Sequence, residues 1–527
     1  MGAIDSWLAA TLLSVGLLVA GTAAATDLTP AETRGKRIYL HGESSSGVEL
    51  TAFVGTASVP IPATATPCAS CHGTDGTGRP EGGVVPSDIR WSRLTTPYGV
   101  TSPGARRHHP AYDEQSLARA IAMGVDPAGN RLDASMPKFP LPAADLTDLL
   151  AYLKRLESDQ DPGLSEDRIV IGTVLPGTGP MQSLGEAVSA LLTAYFADVS
   201  TAGGIYHRKI DLVVATADTP AAMLAEAARL IDEVEVFALV SAFTGGADRE
   251  FAELVETREV PVIGPFTQFP RSAGLLPRFN FYLLSGLMDQ GRGLIDFAAA
   301  DAVTGDAPIA IVHAGDVNLK EAALEIETYA RQRGWDAVLR REYAPEQMDA
   351  DALVAELRAA GSKGLFFFGD GRDFLNLATA AVDHHWLPRV FLSGAMTGRD
   401  VFAAPPEFSD RIFVAYPTVP ADNSPAGRQE FTAFHSRHGL ERQHFAAQTI
   451  AYSAAKVLLE ALKRSGRELS RPKLVAALEG LHKYDTGLTP TITFSANRRI
   501  GALGAHIIAV DLEKQAFAVE TQWVEPQ

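Results

Sequence analysis

The sequence predicts a multidomain protein, an all-α domain followed by an α/β domain, and three observations predict it. In the first part apolar residues recur at helical spacing, as in Leu146, Leu149, Leu150 and Leu153. From Arg168 onward, unbroken Val/Ile/Leu/Phe runs alternate with helical stretches, the pattern of strands buried on both faces between helices. Between the two, Glu157 to Asp167 is short, acidic and contains Pro162-Gly163. The expected division is a leader over 1–25, a helical domain over 26–157, a linker over 158–167 and an α/β domain over 168–527.

Composition narrows the function classes. The chain has 527 residues, enough for two or three domains, with 46% apolar and 21% charged residues and a net charge of −17. That charge argues against nucleic acid or an anionic membrane surface as a main partner. Trp7 to Ala20 is an apolar run followed by Gly21-Thr22-Ala23-Ala24-Ala25, which reads as the h-region and cleavage site of an export signal. Its n-region carries Asp5 and no Lys or Arg, so an uncleaved anchor is the alternative, although the run is short for a full span. No other run is long and apolar enough to cross a bilayer, and the expected location is the bacterial periplasm.

In chain order, Pro30 to His41 reads as a helix with Thr29 as its cap. Residues 42–67 are rich in Ser, Thr, Gly and Pro and predict a loop with a short hairpin. Cys68-Ala69-Ser70-Cys71-His72 follows and has the spacing of a c-type haem attachment site. Two thiols a turn apart reach the two vinyl groups of one porphyrin, and the next residue, His72, supplies a neutral imidazole nitrogen to the iron. A redox dithiol, half a zinc site or a disulfide are the other readings; with two cysteines in the whole chain, a four-cysteine zinc site is excluded. The sixth iron ligand is expected to be Met136, in Ser135-Met136-Pro137. Its rivals are Met123, expected in a helix core, and His108 and His109, expected in a solvated loop. Gly73 to Gly78 turns the chain tightly; no strand precedes it, so a phosphate loop is rejected. Helices follow over Asp113–Gly124 and Asp145–Leu156.

Residues 27–157 resemble the mono-haem class I cytochrome c domains that are fused to, or serve, periplasmic oxidoreductases. The resemblance rests on Gly35-Lys36-Arg37-Ile38-Tyr39, Cys68-x-x-Cys71-His72-Gly73, Met136-Pro137 and Leu149-Leu150-Ala151-Tyr152-Leu153. It implies one haem c, bound covalently by Cys68 and Cys71, with His72 and Met136 axial to the iron.

In the second part, strands are expected over Ile169–Val174, Ile210–Ala215, Val236–Val240, Val262–Ile263, Ile309–Val312, Gly364–Phe368, Val390–Leu392 and Ile412–Ala415. Helices are expected over Leu184–Val199, Pro220–Glu233, Gly291–Ala300, Leu319–Gly334, Ala350–Ala360 and Phe445–Ser465. A Rossmann enzyme is disfavoured, because no G-x-G-x-x-G opens a helix after the first strand. This part resembles the type I periplasmic binding proteins, the branched-chain amino acid binding and receptor ligand-binding family. The matching stretches are Ile171-Gly172-Thr173-Val174-Leu175-Pro176-Gly177-Thr178-Gly179, Leu239 to Gly246, Val260 to Pro265, Ile309 to His313 and Phe368 to Gly371. The resemblance implies a two-lobed α/β fold, a ligand in the interlobe cleft, and three crossings near Phe281–Ser285, Tyr416–Val419 and Ile492–Ser495.

The resemblance places the ligand contacts at Met181, Gln182 and Ser183; at Phe243, Thr244 and Gly245 with Gly246; at Thr267 and Gln268; and at Asp316, Asn318, Asp370 and Met396. Each polar residue among them could equally be an ordinary loop or cap residue. Amino acid binders of the family carry an acid in the loop after Val390–Leu392 that pairs with the ligand ammonium. Here that loop reads Ser393-Gly394-Ala395-Met396-Thr397, without an acid, so either Asp370 substitutes or the ligand is not an α-amino acid. Phe243, Phe266, Phe269 and Met396 suggest an apolar or aromatic ligand, although all four could be core.

No nucleophile–base constellation is visible, so the chain is not expected to be an enzyme; His384-His385 is a weak metal candidate near a helix end. Three functions fit. The chain could be a periplasmic electron carrier whose binding domain docks a small molecule or a redox partner such as a dehydrogenase or cytochrome. It could be a solute receptor for an ABC permease with an accessory haem. It could instead be a docking subunit of a dehydrogenase complex.

Overall fold

The computed structural model describes residues 28–78, 84–99, 108–270, 277–305, 307–345 and 347–526. The expected leader lies outside them. The chain divides into two compact units, residues 1–160 and 161–527. Among the described residues, no helix is long and apolar enough to cross a membrane.

The first unit is built on two helices, Pro30–His41 and Ala143–Arg155, that pack face to face. Thr29 accepts from the Glu32 amide while the Glu32 carboxylate accepts from the Thr29 amide, so both ends of the first turn are satisfied. Gly35 lets the helices touch: a Cβ there would fall 2.0 Å from the Asp148 carbonyl oxygen. Tyr39 and Tyr152 are buried at this seam with ring centroids 5.6 Å apart. Thr51–Val54 and Val59–Pro62 form the expected antiparallel hairpin, and Glu114–Met123 is capped by Asp113 and ended by Gly124 in the left-handed conformation.

The second unit has two lobes, each a sheet between helices. The first-lobe sheet has six strands in the order Ile500–Ala502, Asn280–Leu284, Val262–Ile263, Ala238–Val240, Arg168–Pro176 and Lys209–Ala217, all neighbours parallel. The second-lobe sheet runs Ala516–Val524, Ala505–Asp511, Ile412–Tyr416, Arg389–Ser393, Gly364–Phe368, Ile309–Ala314 and Val338–Tyr343. Its last five strands are parallel and the first two antiparallel additions. All eight expected strands form. Val338–Tyr343 was hidden because Arg340, Arg341 and Glu342 interrupt its apolar pattern, as befits an edge strand that must resist further pairing.

Two expectations about connections need correction. Of the expected linker, residues 161–167 are fixed on the second unit. Leu164 is buried in the first-lobe core, a Cβ on Gly163 would lie 2.3 Å from the Phe237 nitrogen, and Asp161 accepts from the Arg471 amide at 2.5 Å. The third crossing is not Ile492–Ser495. Ile492 and Phe494 are buried in the first-lobe core, Phe494 against Phe281 at 5.2 Å, and the chain crosses at Leu503-Gly504. The other two crossings follow Leu284 and Tyr416, close to where the sequence puts them.

Candidate functional site

Pro67 starts the short helix Cys68–His72, which places both thiols and the imidazole on one turn. The chain leaves it through Gly73 at φ 75° and folds back so that Gly78 donates to the His72 carbonyl at 2.8 Å. A Cβ on Gly78 would lie 2.4 Å from the Pro86 oxygen, so only glycine allows this return. Tyr39 donates to the Gly73 carbonyl at 2.6 Å and ties the turn to the first helix. His72 is 7% exposed, and its Nδ1 lies 2.9 Å from the Ser87 carbonyl oxygen. A carbonyl only accepts, so Nδ1 carries the proton and Nε2 keeps its lone pair. Burial lowers the pKa of the ring, against the opposing effect of the Ser87 bond, and so favours the neutral form. The thiols of Cys68 and Cys71 are not joined to each other. This donor set fits haem c: two free thiols and an oriented neutral imidazole nitrogen.

Met136 lies half-buried in a turn closed by its amide donating to Asp133, 3.0 Å. The next residues anchor the turn: Lys138 exchanges backbone hydrogen bonds with Phe53 on the hairpin, and Phe139 donates to Ile121 at 2.8 Å. The rivals sit differently from expectation. Met123 is 62% exposed rather than core, because it stands two residues past Ile121 and so on the face of Glu114–Met123 opposite the buried Leu117, Ala120 and Ile121. His109 is buried rather than solvated, stacked on Tyr98 at 5.3 Å and bonded through Nδ1 to the Pro110 carbonyl. His108 is exposed.

In the second unit, the residues expected in the cleft lie in loops and helix starts that follow the strands. Asp218 accepts from the amides of Gly177 and Thr178 and so holds the first loop, whose Met181 and Gln182 are exposed. Ser183 bonds to His444 Nε2 at 2.8 Å. Phe243 and Phe266 stack at 4.5 Å at the ends of neighbouring strands. Thr244 donates to Asp248 Oδ1 at 2.6 Å, and Thr267 is bonded to the same oxygen. Asp248 is 5% exposed and opens the helix Asp248–Thr257. Gln268 is exposed, and its carbonyl accepts from Leu287 at the first crossing. Asp316 and Asp370 both cap helices, Asp316 accepting from the amides of Asn318 and Leu319, Asp370 from that of Asp373. Met396 and Phe269 pack at the border of the second-lobe core. Across the cleft, Asn318 Nδ2 reaches the Gly246 carbonyl at 3.4 Å, and Arg249 pairs with Glu321. His384 pairs with Asp351 at 3.1 Å; among the described residues no three metal-ligating side chains gather there or elsewhere.

Sequence reading missed three participants. Asp248 was signalled only weakly, as an acid four residues after Thr244 at a helix start. His444 acts from a left-handed backbone position, φ 55°, which a histidine does not announce. Ser87 acts through its carbonyl, which any residue would carry.

A family model described as periplasmic binding protein matches residues 168–511, and one described as cytochrome c matches residues 63–157. A cytochrome c domain implies haem c, and both are non-enzymatic kinds of domain. The chain is similar to an amino acid binding protein of Pseudomonas aeruginosa, 28% identical over 204 residues, covering 38% of this chain and 54% of that relative. The chain thus spans little more than half of that relative's length. It is also similar to Leu/Ile/Val-binding protein homolog 7 of Brucella abortus, 22% identical over 316 residues, 56% of this chain and 77% of the relative. Among solved structures, a branched-chain amino acid ABC transporter protein of Thermus thermophilus with bound valine superposes at TM-score 0.56 and 16% identity, over 69% of this chain and 97% of that one. A fatty acid ABC transporter substrate-binding protein of Thermomonospora curvata does so at TM-score 0.53 and 17% identity, over 70% and 94%. At these identities the two structures establish the fold alone.

Proposed function

The chain belongs to the periplasmic binding protein family, and from that premise we propose that it is a periplasmic c-type cytochrome that couples binding of a solute or partner to electron transfer. One observation carries this reading. His72 is buried, with its Nδ1 proton held by the Ser87 carbonyl and Nε2 left to ligate, in the same chain as a two-lobed binding fold. Cys68 and Cys71 would hold one haem covalently and His72 and Met136 would ligate its iron, and the group would supply one-electron transfer at a raised potential. The chain's own residues attach the porphyrin, orient the imidazole through Ser87, and exclude water from that ring. Delivery of a solute to an importer requires no redox group, so the fusion itself favours electron transfer, with a periplasmic dehydrogenase or another cytochrome as partner.

The second reading, a solute receptor for an ABC permease with an accessory haem, is favoured by the match to nearly whole lengths of solved binding proteins. The test is to produce the chain with haem-maturation factors and record reduced-minus-oxidised spectra during titration with amino acids, aromatic acids, short alcohols and aldehydes. A solute that binds and shifts the haem potential or reduction rate supports coupling. A solute that binds without touching the haem favours the receptor. Failure of every solute to bind overturns the small-molecule cleft and leaves a protein partner.

A further inference from the structure

We propose that the cleft takes an uncharged small organic molecule, an alcohol, aldehyde or ketone with an apolar body, and that Asp248 is the residue that rejects carboxylates. This rests on the cleft reading above and names its ligand class.

Of the two charge-reading halves expected of an amino acid site, the first is otherwise occupied and the second is weakened. On the first lobe, Thr244 and Thr267 are the side chains placed to donate to a ligand carboxylate. Their hydroxyls meet on Asp248 Oδ1 instead, Thr244 at 2.6 Å. Thr267 Oγ1 also accepts from the Phe269 amide at 2.8 Å, and the other acceptor near Thr244 Oγ1 is the Phe266 carbonyl at 3.4 Å. Each hydroxyl has one hydrogen, so neither retains one for a ligand. A ligand carboxylate here would also stand beside the charge of Asp248, and like charges in a desolvated site are strongly disfavoured. On the second lobe, the loop Ser393–Thr397 has no acid, and Asp370 commits Oδ1 to the cap of Gly371–Asp383, which leaves Oδ2 alone of the carboxylate expected there. An ammonium would therefore have one oxygen of a carboxylate already shared with a helix cap to set against its desolvation, in place of a dedicated acid.

What remains suits a neutral ligand. The stacked Phe243–Phe266 pair ends two adjacent strands, Phe243 buried in the first-lobe core and Phe266 half-buried at its border, and Met396 and Phe269 are half-buried at the border of the second. Gly245 and Gly246, at φ 62° and 98°, open the backbone ahead of the helix at Asp248, where amide hydrogens suit one carbonyl or hydroxyl oxygen.

The experiment is calorimetry on the full haem-loaded chain with matched probes: benzyl alcohol, benzaldehyde, benzoate and benzylamine; 3-methylbutanol and 3-methylbutanoate; L-leucine and L-phenylalanine. The expected result is that a neutral member binds at least about tenfold more tightly than its charged counterparts, and that Asp248→Asn narrows this gap by raising carboxylate affinity. Tightest binding by a carboxylate, the amine or an amino acid overturns the inference and leaves the cleft reading standing. An unchanged gap in Asp248→Asn overturns the role of Asp248. Binding of no probe overturns the cleft reading and this inference with it. The wild-type comparison stands even if the variant does not fold.

Discussion

His506 donates from Nε2 to Asp422 Oδ1 at 2.9 Å, joining the second interlobe crossing to the strand that follows the third. The other carboxylate oxygen accepts from the Val419 amide at 2.8 Å and the Thr418 hydroxyl at 3.0 Å, which fixes the bend of the crossing itself. Ser285 on the first crossing donates to the Gly504 carbonyl on the third at 2.5 Å. Lobe closure in this fold therefore bends three segments that are tied together by side chains rather than three independent linkers.

Asp422 makes stability acid-sensitive. Burial raises its pKa, but the His506 and Val419 hydrogen bonds outweigh burial and hold the carboxyl below its ordinary value. A depressed native pKa contributes stability that is complete above the unfolded value, about 3.9, and is lost as pH falls through the native value. Asp422→Asn is expected to lower stability at pH 7 by about 1–3 kcal/mol and to flatten the acid limb of a melting-temperature profile. An acid limb as steep as in the wild type would refute this.

Asp289 works in the opposite direction. It is buried on the helix Leu287–Ala299 with Oδ2 unbonded, and desolvation pushes its pKa up to about 6 despite Arg292 at 3.5 Å. Between the unfolded value of about 3.9 and the native value, the folded state holds the extra proton, so stability rises as pH falls through that window. At pH 7 the charged form is a burden. Asp289→Asn is expected to stabilise the protein at neutral pH by roughly 1–3 kcal/mol, read as a higher melting temperature that disappears near pH 4.

Gly35 is the contact point of the two main helices of the first unit. With the Asp148 carbonyl 2.0 Å and the Tyr152 Cβ 2.8 Å from a substituted Cβ, Gly35→Ala must separate the helices. The bidentate Arg34–Asp148 pair, at 2.7 and 2.8 Å, spans the same seam and would loosen with it. Overpacking of this kind costs about 1–3 kcal/mol or more. The expected outcome is a lower first transition in calorimetry, with the transition of the second unit unchanged.

Much of this was legible in the sequence where local chemistry and global fold agree. Cys68–His72 could be read because its chemistry requires one spacing, and Val262–Ile263 or Gly364–Phe368 because a strand buried on both faces must be continuously apolar. Where position in the fold decides, the sequence was quiet. Met123 and Ile121 are both apolar, yet at i and i+2 on one helix they fall on opposite faces, and only one is buried. The third crossing has no composition signal, since Leu503-Gly504 is two residues, whereas Ile492–Ser495, where the resemblance put it, is anchored by Phe494. Asp316 and Asp370 were read for the chemistry of ligands, and the amides bonded to one oxygen of each show that they also cap helices.

The sixth iron ligand is decided by removing sulfur atoms one at a time. Met136 sits on a turn whose flanks are pinned by the Lys138–Phe53 and Phe139–Ile121 backbone bonds, so truncating its side chain should leave the backbone in place. Met136→Ala is expected to retain covalent haem, become high-spin, and lose potential, because methionine ligation is what raises it. Met123→Ala, exposed at the end of its helix, should change neither spin state nor potential. Reversal of the two results would move the ligand to Met123. A low-spin haem in both variants would point to His109, whose Nδ1 is bound to Pro110 and whose Nε2 is the remaining nitrogen. His109→Phe, which preserves the stack on Tyr98, then separates ligation from packing.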